Sequence, residues 1–174
     1  MRRRAAVLAF LFLAAAAEPA DAQERKIPRS EELGTLPIEI LADRLSADSG
    51  KNSVTFEGNV VAKQGDVTLR ADRLSAEYAR GAGAIEKIVA EGNVLVNQSD
   101  REARAARADF FNLEQRIVLS GGADLTQGGN TVKGDTVTIF LRENRSVVTG
   151  GEGGRVKAVL QPKSAPAKKE KPTP

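Results

Sequence analysis

The sequence predicts an all-β chain, folded over as an antiparallel sheet of the sandwich or jelly-roll kind. Three observations predict it. The first is repetition. Ala42-Asp43-Arg44-Leu45-Ser46-Ala47 returns unchanged as Ala71-Asp72-Arg73-Leu74-Ser75-Ala76, and Glu57-Gly58-Asn59-Val60 returns as Glu91-Gly92-Asn93-Val94. Recurrent words are the mark of an architecture built by repeating one supersecondary unit. The second is alternation. Val54, Phe56, Gly58, Val60 and Ala62 share one face, as do Ile88, Ala90, Gly92, Val94 and Val96, and again Ile117, Leu119, Gly121, Ala123 and Leu125. Period two belongs to strands with one buried face. The third is a change of phase at an Asp. Apolar residues fall at Ile38, Ile40 and Ala42 before Asp43, and at Leu45 and Ala47 after it. A strand keeps the same side buried across such a flip only by turning a corner or carrying a bulge.

Weaker copies extend the pattern. Ala108-Asp109 leads to Gly121 and Gly134-Asp135 leads to Gly150, which makes four units. Corners are therefore expected at Asp43, Asp72, Asp109 and Asp135. Their carboxylates are expected to cap free backbone N–H groups, as in Asx turns. The Gly of each unit falls in the inward phase, where a strand glycine signals a bend or a close backbone approach.

Residues 1–22 stand apart from this fold. Arg2, Arg3 and Arg4 precede an apolar run from Ala5 to Ala17, and Ala20-Asp21-Ala22 supplies small residues for cleavage. That is the pattern of a secretory signal peptide. The run falls short of the roughly 20 residues a membrane span needs; an uncleaved anchor is the alternative. Residues 23–36 read as a flexible leader. Residues 37–162 form the β domain, with turn signals at Gly50-Lys51-Asn52, Gln64-Gly65-Asp66 and Gly81-Ala82-Gly83. Asp100 to Ala108 has helical propensity, but the repeat register requires a strand there. Val156, Ala158 and Leu160 alternate as a final strand. The Lys/Pro/Ala tail over 163–174 is expected to be disordered.

Composition excludes several functions. The chain contains no His and no Cys. Ser-His-Asp, Cys-His and His-based metal chemistry are therefore absent, and no disulfide holds the fold. The four Asp sit at equivalent places, which suits a structural role better than a catalytic carboxylate pair. Gly58-Asn59, Gly92-Asn93 and Gly121-Gly122 lack the following Lys-Ser/Thr of a phosphate loop. No spacing matches a calcium loop, and no metal or cofactor is expected. The net charge of +3 comes from the ends. Four Lys and one Glu lie in the tail, and the basic residues are not interleaved with aromatics, so nucleic-acid binding is not expected. Function is left to surfaces. A folded-over sheet with a small-aliphatic interior could hold acyl chains, lined by Phe56, Phe110 or Phe111, and Phe140. Periodicity alone does not separate such a groove from a packed core.

Pro37-Ile-Glu-Ile40, Ala42-Asp43-Arg44-Leu45, Phe56-Glu-Gly-Asn-Val60, Gln64-Gly65-Asp66 and Leu69-Arg-Ala-Asp72 resemble the OstA-type repeat of the LptA family of periplasmic lipopolysaccharide transport proteins. Val118-Leu-Ser-Gly121, Val132-Lys-Gly-Asp135 and Arg155-Val-Lys-Ala-Val-Leu160 are similar to that family's C-terminal half. The resemblance implies a β-jelly roll open at both ends, with sixteen or so strands. It implies an apolar groove for lipopolysaccharide acyl chains, and a non-enzymatic bridge from inner to outer membrane, powered by an ATPase elsewhere. Ile38, Ile40, Phe111 and Leu113 are the groove positions matched on this basis, and Phe56, Val94 and Val96 are added from their inward phase, with Phe110 in place of Phe111 if the phase near Asp109 differs. Ile38, Ile40, Val156, Ala158 and Leu160 mark the two edge strands for head-to-tail self-association. An LptC-like inner-membrane partner is expected at the N-terminal edge and an LptD-like outer-membrane partner at the C-terminal edge. An LptC-like role in the same pathway, an exported polysaccharide-active enzyme and a structural β-solenoid are the alternatives.

Overall fold

The computed structural model describes residues 36–81, 84–151 and 154–162. The expected signal peptide, most of the leader and the basic tail lie outside them. The described residues form twelve strands and no helix: β1 (Glu39–Leu41), β2 (Arg44–Asp48), β3 (Ser53–Gln64), β4 (Val67–Tyr78), β5 (Ile85–Gln98), β6 (Arg101–Phe111), β7 (Arg116–Ser120), β8 (Ala123–Gln127), β9 (Asn130–Gly134), β10 (Thr136–Phe140), β11 (Arg145–Thr149) and β12 (Lys157–Val159). Every pairing is antiparallel. A solenoid, which stacks its coils in parallel, is not what these repeats build. Arg101 to Ala108 is strand as expected, because β5 pairs along one side of it and β8, then β7, along the other, while Asp100 lies in the turn before it.

The four long strands β3 to β6 bend in the middle. Their pairing slips between Glu57 and Val60, between Arg70 and Arg73, and between Glu91 and Val94. Those bends divide the sheet into two ribbons. Ribbon A runs β2, the first half of β3, the second half of β4, the first half of β5, the second half of β6, then β7, β10 and β11. Ribbon B runs β1, the remaining halves of β3 to β6, then β8, β9 and β12. Counting each bent strand twice gives 12 + 4 = 16 segments, eight per ribbon. The ribbons face each other across one core, and this is an open β-jelly roll.

The corners combine residues from two strands. The Asp43 N–H donates to the Gly58 carbonyl at 3.0 Å. Gly58 and Asn59 both have positive φ, at 79° and 47°, and Gly92 and Asn93 repeat this at 74° and 48°. Two consecutive residues in that region make the bulge that swings the strand. A Cβ on Gly58 would fall on the Asp43 carboxylate, and one on Gly92 on that of Asp72. The glycine thus opens the space that the Asp side chain fills. The carboxylates are held by Asn side chains: Asn59 Nδ2 donates to Asp43 Oδ2 at 2.8 Å and Asn93 Nδ2 to Asp72 Oδ2 at 2.9 Å. These side-chain bonds across strands replace the Asx capping expected at Asp43 and Asp72.

Asp109 is not a corner. It lies within β6, opposite Val89 and Val118 in unbroken register. The third corner is at Ala106, whose Cβ would be 2.7 Å from a Cβ added to Gly121. At the fourth, the Asp135 N–H donates to the Thr149 carbonyl at 2.8 Å, and its own carbonyl accepts from Gly122 N–H at 3.2 Å.

The core lies between the ribbons. Leu119, Leu125, Ile139, Val60 and Val137 are its largest side chains with essentially no exposure, and Leu69, Leu74, Ile88, Phe110 and Ile117 pack around them. The buried aliphatic side chains of the described residues form one cluster at this interface, and burial of that apolar area drives folding.

Candidate functional site

The candidate site is the inner face of the two ribbons. On ribbon A the inward register carries Leu45, Phe56, Leu74, Ala90, Ala108 and Leu119 across successive strands. On ribbon B, Ile40, Ala62, Leu69, Val96, Ala103 and Leu125 do the same. Toward the centre of the molecule this face is closed, with a small apolar void bounded by Leu69, Val96, Phe110 and Ile117. It opens at its two ends, where each ribbon runs out of described strands. Leu45 is in the inward phase yet 60% exposed, because no described strand lies beyond β2 in ribbon A. At the other end, Val156 and Leu160 flank β12 and are 43% and 69% exposed.

The expected groove residues fall into three groups. Val94 and Val96 are buried on the inner face, and Ile40 and Phe56 are half-buried against the core. Ile38 is exposed just before β1. Phe111 and Leu113 are not on the inner face. Phe111 points outward, with the Arg116 guanidinium 4.2 Å and Lys87 Nζ 4.9 Å from its ring centroid. Leu113 is 74% exposed in the turn between β6 and β7. Phe110 is the inward residue, at 3% exposure. Phe140 is also outward, under the Arg145 guanidinium at 4.0 Å. Placing a bend at Asp109 instead of Ala106 makes the phase beyond it uncertain by one residue. The missed signal was Ala105-Ala106-Arg107-Ala108. It aligns with Ala71-Asp72-Arg73-Leu74 once Arg, and not Asp, is taken as the fixed point.

The outer face of ribbon A carries charge. Glu57 and Arg73 pair across β3 and β4, and Glu91 and Arg107 across β5 and β6, while Arg73 reaches Glu91 at 4.0 Å. Arg107 grips Asp109 with two bonds of 2.6 and 2.9 Å, and Lys87 reaches the same carboxylate at 2.9 Å. Burial pushes the Asp109 carboxyl up, but the bonds from Arg107 and Lys87 outweigh it and hold the group below its ordinary value. Six alternating charges thus tie four strands together beside the corners. They are a brace for the bend, and Asp109 belongs to it.

Residues 39–145 match the family model described as LptA/(LptD N-terminal domain) LPS transport protein. The chain belongs to this family. Among curated relatives, the lipopolysaccharide export system protein LptA of Escherichia coli K12 is 30% identical over 141 residues, covering 78% of this chain and 76% of that one. The lipopolysaccharide export system protein LptH of Pseudomonas aeruginosa is 25% identical over 142 residues, covering 73% and 80%. The crystal structure of LptH, the LptA-homologous periplasmic component of the lipopolysaccharide transport device of Pseudomonas aeruginosa, superposes with a TM-score of 0.64 at 21% identity. It covers 73% of this chain and 96% of that one, and supports the fold. These family members are named as export proteins and not as enzymes.

Proposed function

We propose that this chain binds the acyl chains of lipopolysaccharide between its two ribbons, in the periplasm, and passes the lipid along a bridge of like domains. The observation that carries this reading is the inner face itself. It is apolar on every strand of both ribbons and runs out to solvent at both ends instead of closing. An ordinary core has no reason to leave inward residues such as Leu45 exposed; a conduit does. The named relatives work in lipopolysaccharide export, and LptH is called the periplasmic component of that device. The signal peptide expected over residues 1–22 agrees with that compartment.

The edges support the bridge. β1 and β12 are the outer strands of ribbon B, and β2 and β11 those of ribbon A. Unpaired edges recruit further strands. An LptC-like partner is proposed to meet the β1/β2 end and an LptD-like partner the β11/β12 end, with further copies between. A photo-crosslinking residue at Ile40 tests the groove. It should capture lipopolysaccharide, and one at Arg70, which lies on the outer face, should not. Equal capture at both positions removes the groove assignment.

A further inference from the structure

The inner face of ribbon B changes character at the free ends of its strands. Near the corners its rungs are Val60, Ala71, Val94, Ala105 and Ala123, then Ala62, Leu69, Val96, Ala103 and Leu125. The last inward rung is Gln64, Val67, Gln98, Arg101, Gln127 and Asn130, joined in register from strand to strand. All but Val67 are polar. Successive inward rungs lie about 7 Å apart, two residues of strand rise.

Gln98 is the telling member. It is only 6% exposed. Its Nε2 faces Asp66 Oδ1 at 3.5 Å, and the other oxygen of that carboxylate accepts from Ser99 Oγ at 3.0 Å. A carboxylate needs a donor, so Asp66 fixes which way the Gln98 amide points. The amide oxygen is then turned away from Asp66, buried, and without a hydrogen-bond partner. Its rung neighbours in register are Val67 and Arg101. A buried acceptor left unmatched is costly, and such groups in native proteins call for a donor from elsewhere.

We infer that this rung is the headgroup rim of the groove. Gln98 Oε1 accepts a hydrogen bond from a hydroxyl or amide N–H of an acylated sugar, and Arg101 meets a phosphate on that sugar. The inference rests on the reading that acyl chains lie between the ribbons, because only then does the head-to-tail junction of the lipid reach the last rung. It adds to that reading a means of telling a lipid with hydroxyl or N–H donors at its headgroup from one without them, such as phosphatidylcholine.

The test uses the full chain and three lipids in competition with a fluorescent lipid A: bisphosphorylated lipid A, its monophosphorylated form, and phosphatidylcholine. Phosphatidylcholine has acyl chains and a phosphate but no O–H or N–H donor. Gln98→Leu should weaken lipid A about fivefold, the worth of one ordinary hydrogen bond, and leave phosphatidylcholine unchanged. Its melting midpoint should hold or rise, because an unmatched acceptor has gone. Arg101→Gln should flatten the preference for the bisphosphorylated form. Wild-type binding of lipid A with unaltered affinity in Gln98→Leu overturns the rim and assigns the amide oxygen to water. Equal wild-type affinity for lipid A and phosphatidylcholine also overturns the rim but leaves the groove standing. Failure to bind either lipid removes groove and rim together. If Gln98→Leu does not fold, Arg101→Gln decides, and unchanged selectivity there overturns the proposal.

Discussion

Asp72 on β4 and Asn93 on β5 are joined by a 2.9 Å hydrogen bond that seats the carboxylate directly over Gly92. Asp43 and Asn59 make the same joint over Gly58. The repeated words of the sequence are therefore two halves of one device. The Asp comes from one word and the Gly-Asn from the other, and each corner needs both. Asp72→Ala should cost about 1 kcal/mol, one side-chain hydrogen bond. Gly92→Ala should cost more, about 2 kcal/mol or above, because it adds a left-handed alanine to a clash with the carboxylate. The double variant should cost less than the sum, since removing the carboxylate relieves the clash. Urea denaturation of the four proteins checks this, and strict additivity would remove the shared corner.

Asp109 predicts a dependence on acid. Its folded carboxyl is held below the ordinary 3.8. The stability it contributes is thus fully present above 3.8 and is lost as the pH falls through the folded value. Asp109→Asn should destabilise at pH 7 by about 1.5–3 kcal/mol, the range for hydrogen bonds to charged groups. The gap between variant and wild type should close below the ordinary carboxylate range. A gap that is the same at pH 7 and pH 2.5 would show that the loss is packing, not charge.

The two adjacent phenylalanines should separate cleanly. Phe110 is buried between the ribbons and Phe111 lies outside beneath two cations. Phe110→Ala should cost about 3–5 kcal/mol through the cavity it leaves. Phe111→Ala should cost about 1 kcal/mol from lost cation–π contact. Calorimetric midpoints that rank them in the reverse order would reverse the assignment of faces along β6.

The same pair marks where the sequence stops being legible. Alternation around Val60, Val94 and Leu119 identified the inner face, because the phase of each of those runs is fixed by its own residues and not by where the neighbouring strand bends. The corners at Asp43 and Asp72 were legible because their words are identical. The third corner was not. Ala106 has replaced the Asp, and Asp109, three residues on, carries the same letter for a different purpose. The letter marks a bend only when a Gly lies across from it, and which residues lie across is a fact of register. Leu113 was lost for a related reason. It continues the apolar pattern past the end of β6, where the chain has already entered a turn and an apolar residue faces solvent. Openness at the ends was likewise beyond periodicity, since Leu45 and Leu74 occupy the same place in identical words. Of the two, Leu74 alone has described strands on both sides of it.

The ends supply the last prediction. β12 pairs with β9 through Lys157–Lys133, Ala158–Val132 and Val159–Thr131, and no described strand covers its other side. β1 pairs with β3 and is equally uncovered on its far side. Apolar residues are exposed around both: Ile38 and Leu41 at one end, Val156, Val159 and Leu160 at the other. If the tail of one copy adds to the head of the next, the contact is heterologous and grows as an open filament. Ala158→Pro removes one ladder donor without changing charge, and it disables the tail whichever neighbour that N–H serves. Ile40→Pro does the same at the head. Each variant alone should be monomeric by light scattering where wild type grows with concentration. Mixed in equal amounts, they should form dimers and stop there, because the mixture contains one working head and one working tail. A two-fold joint between like edges would behave differently, since the variant with that edge intact would dimerise by itself. Growth of Ala158→Pro indistinguishable from wild type would move the joint away from β12 altogether.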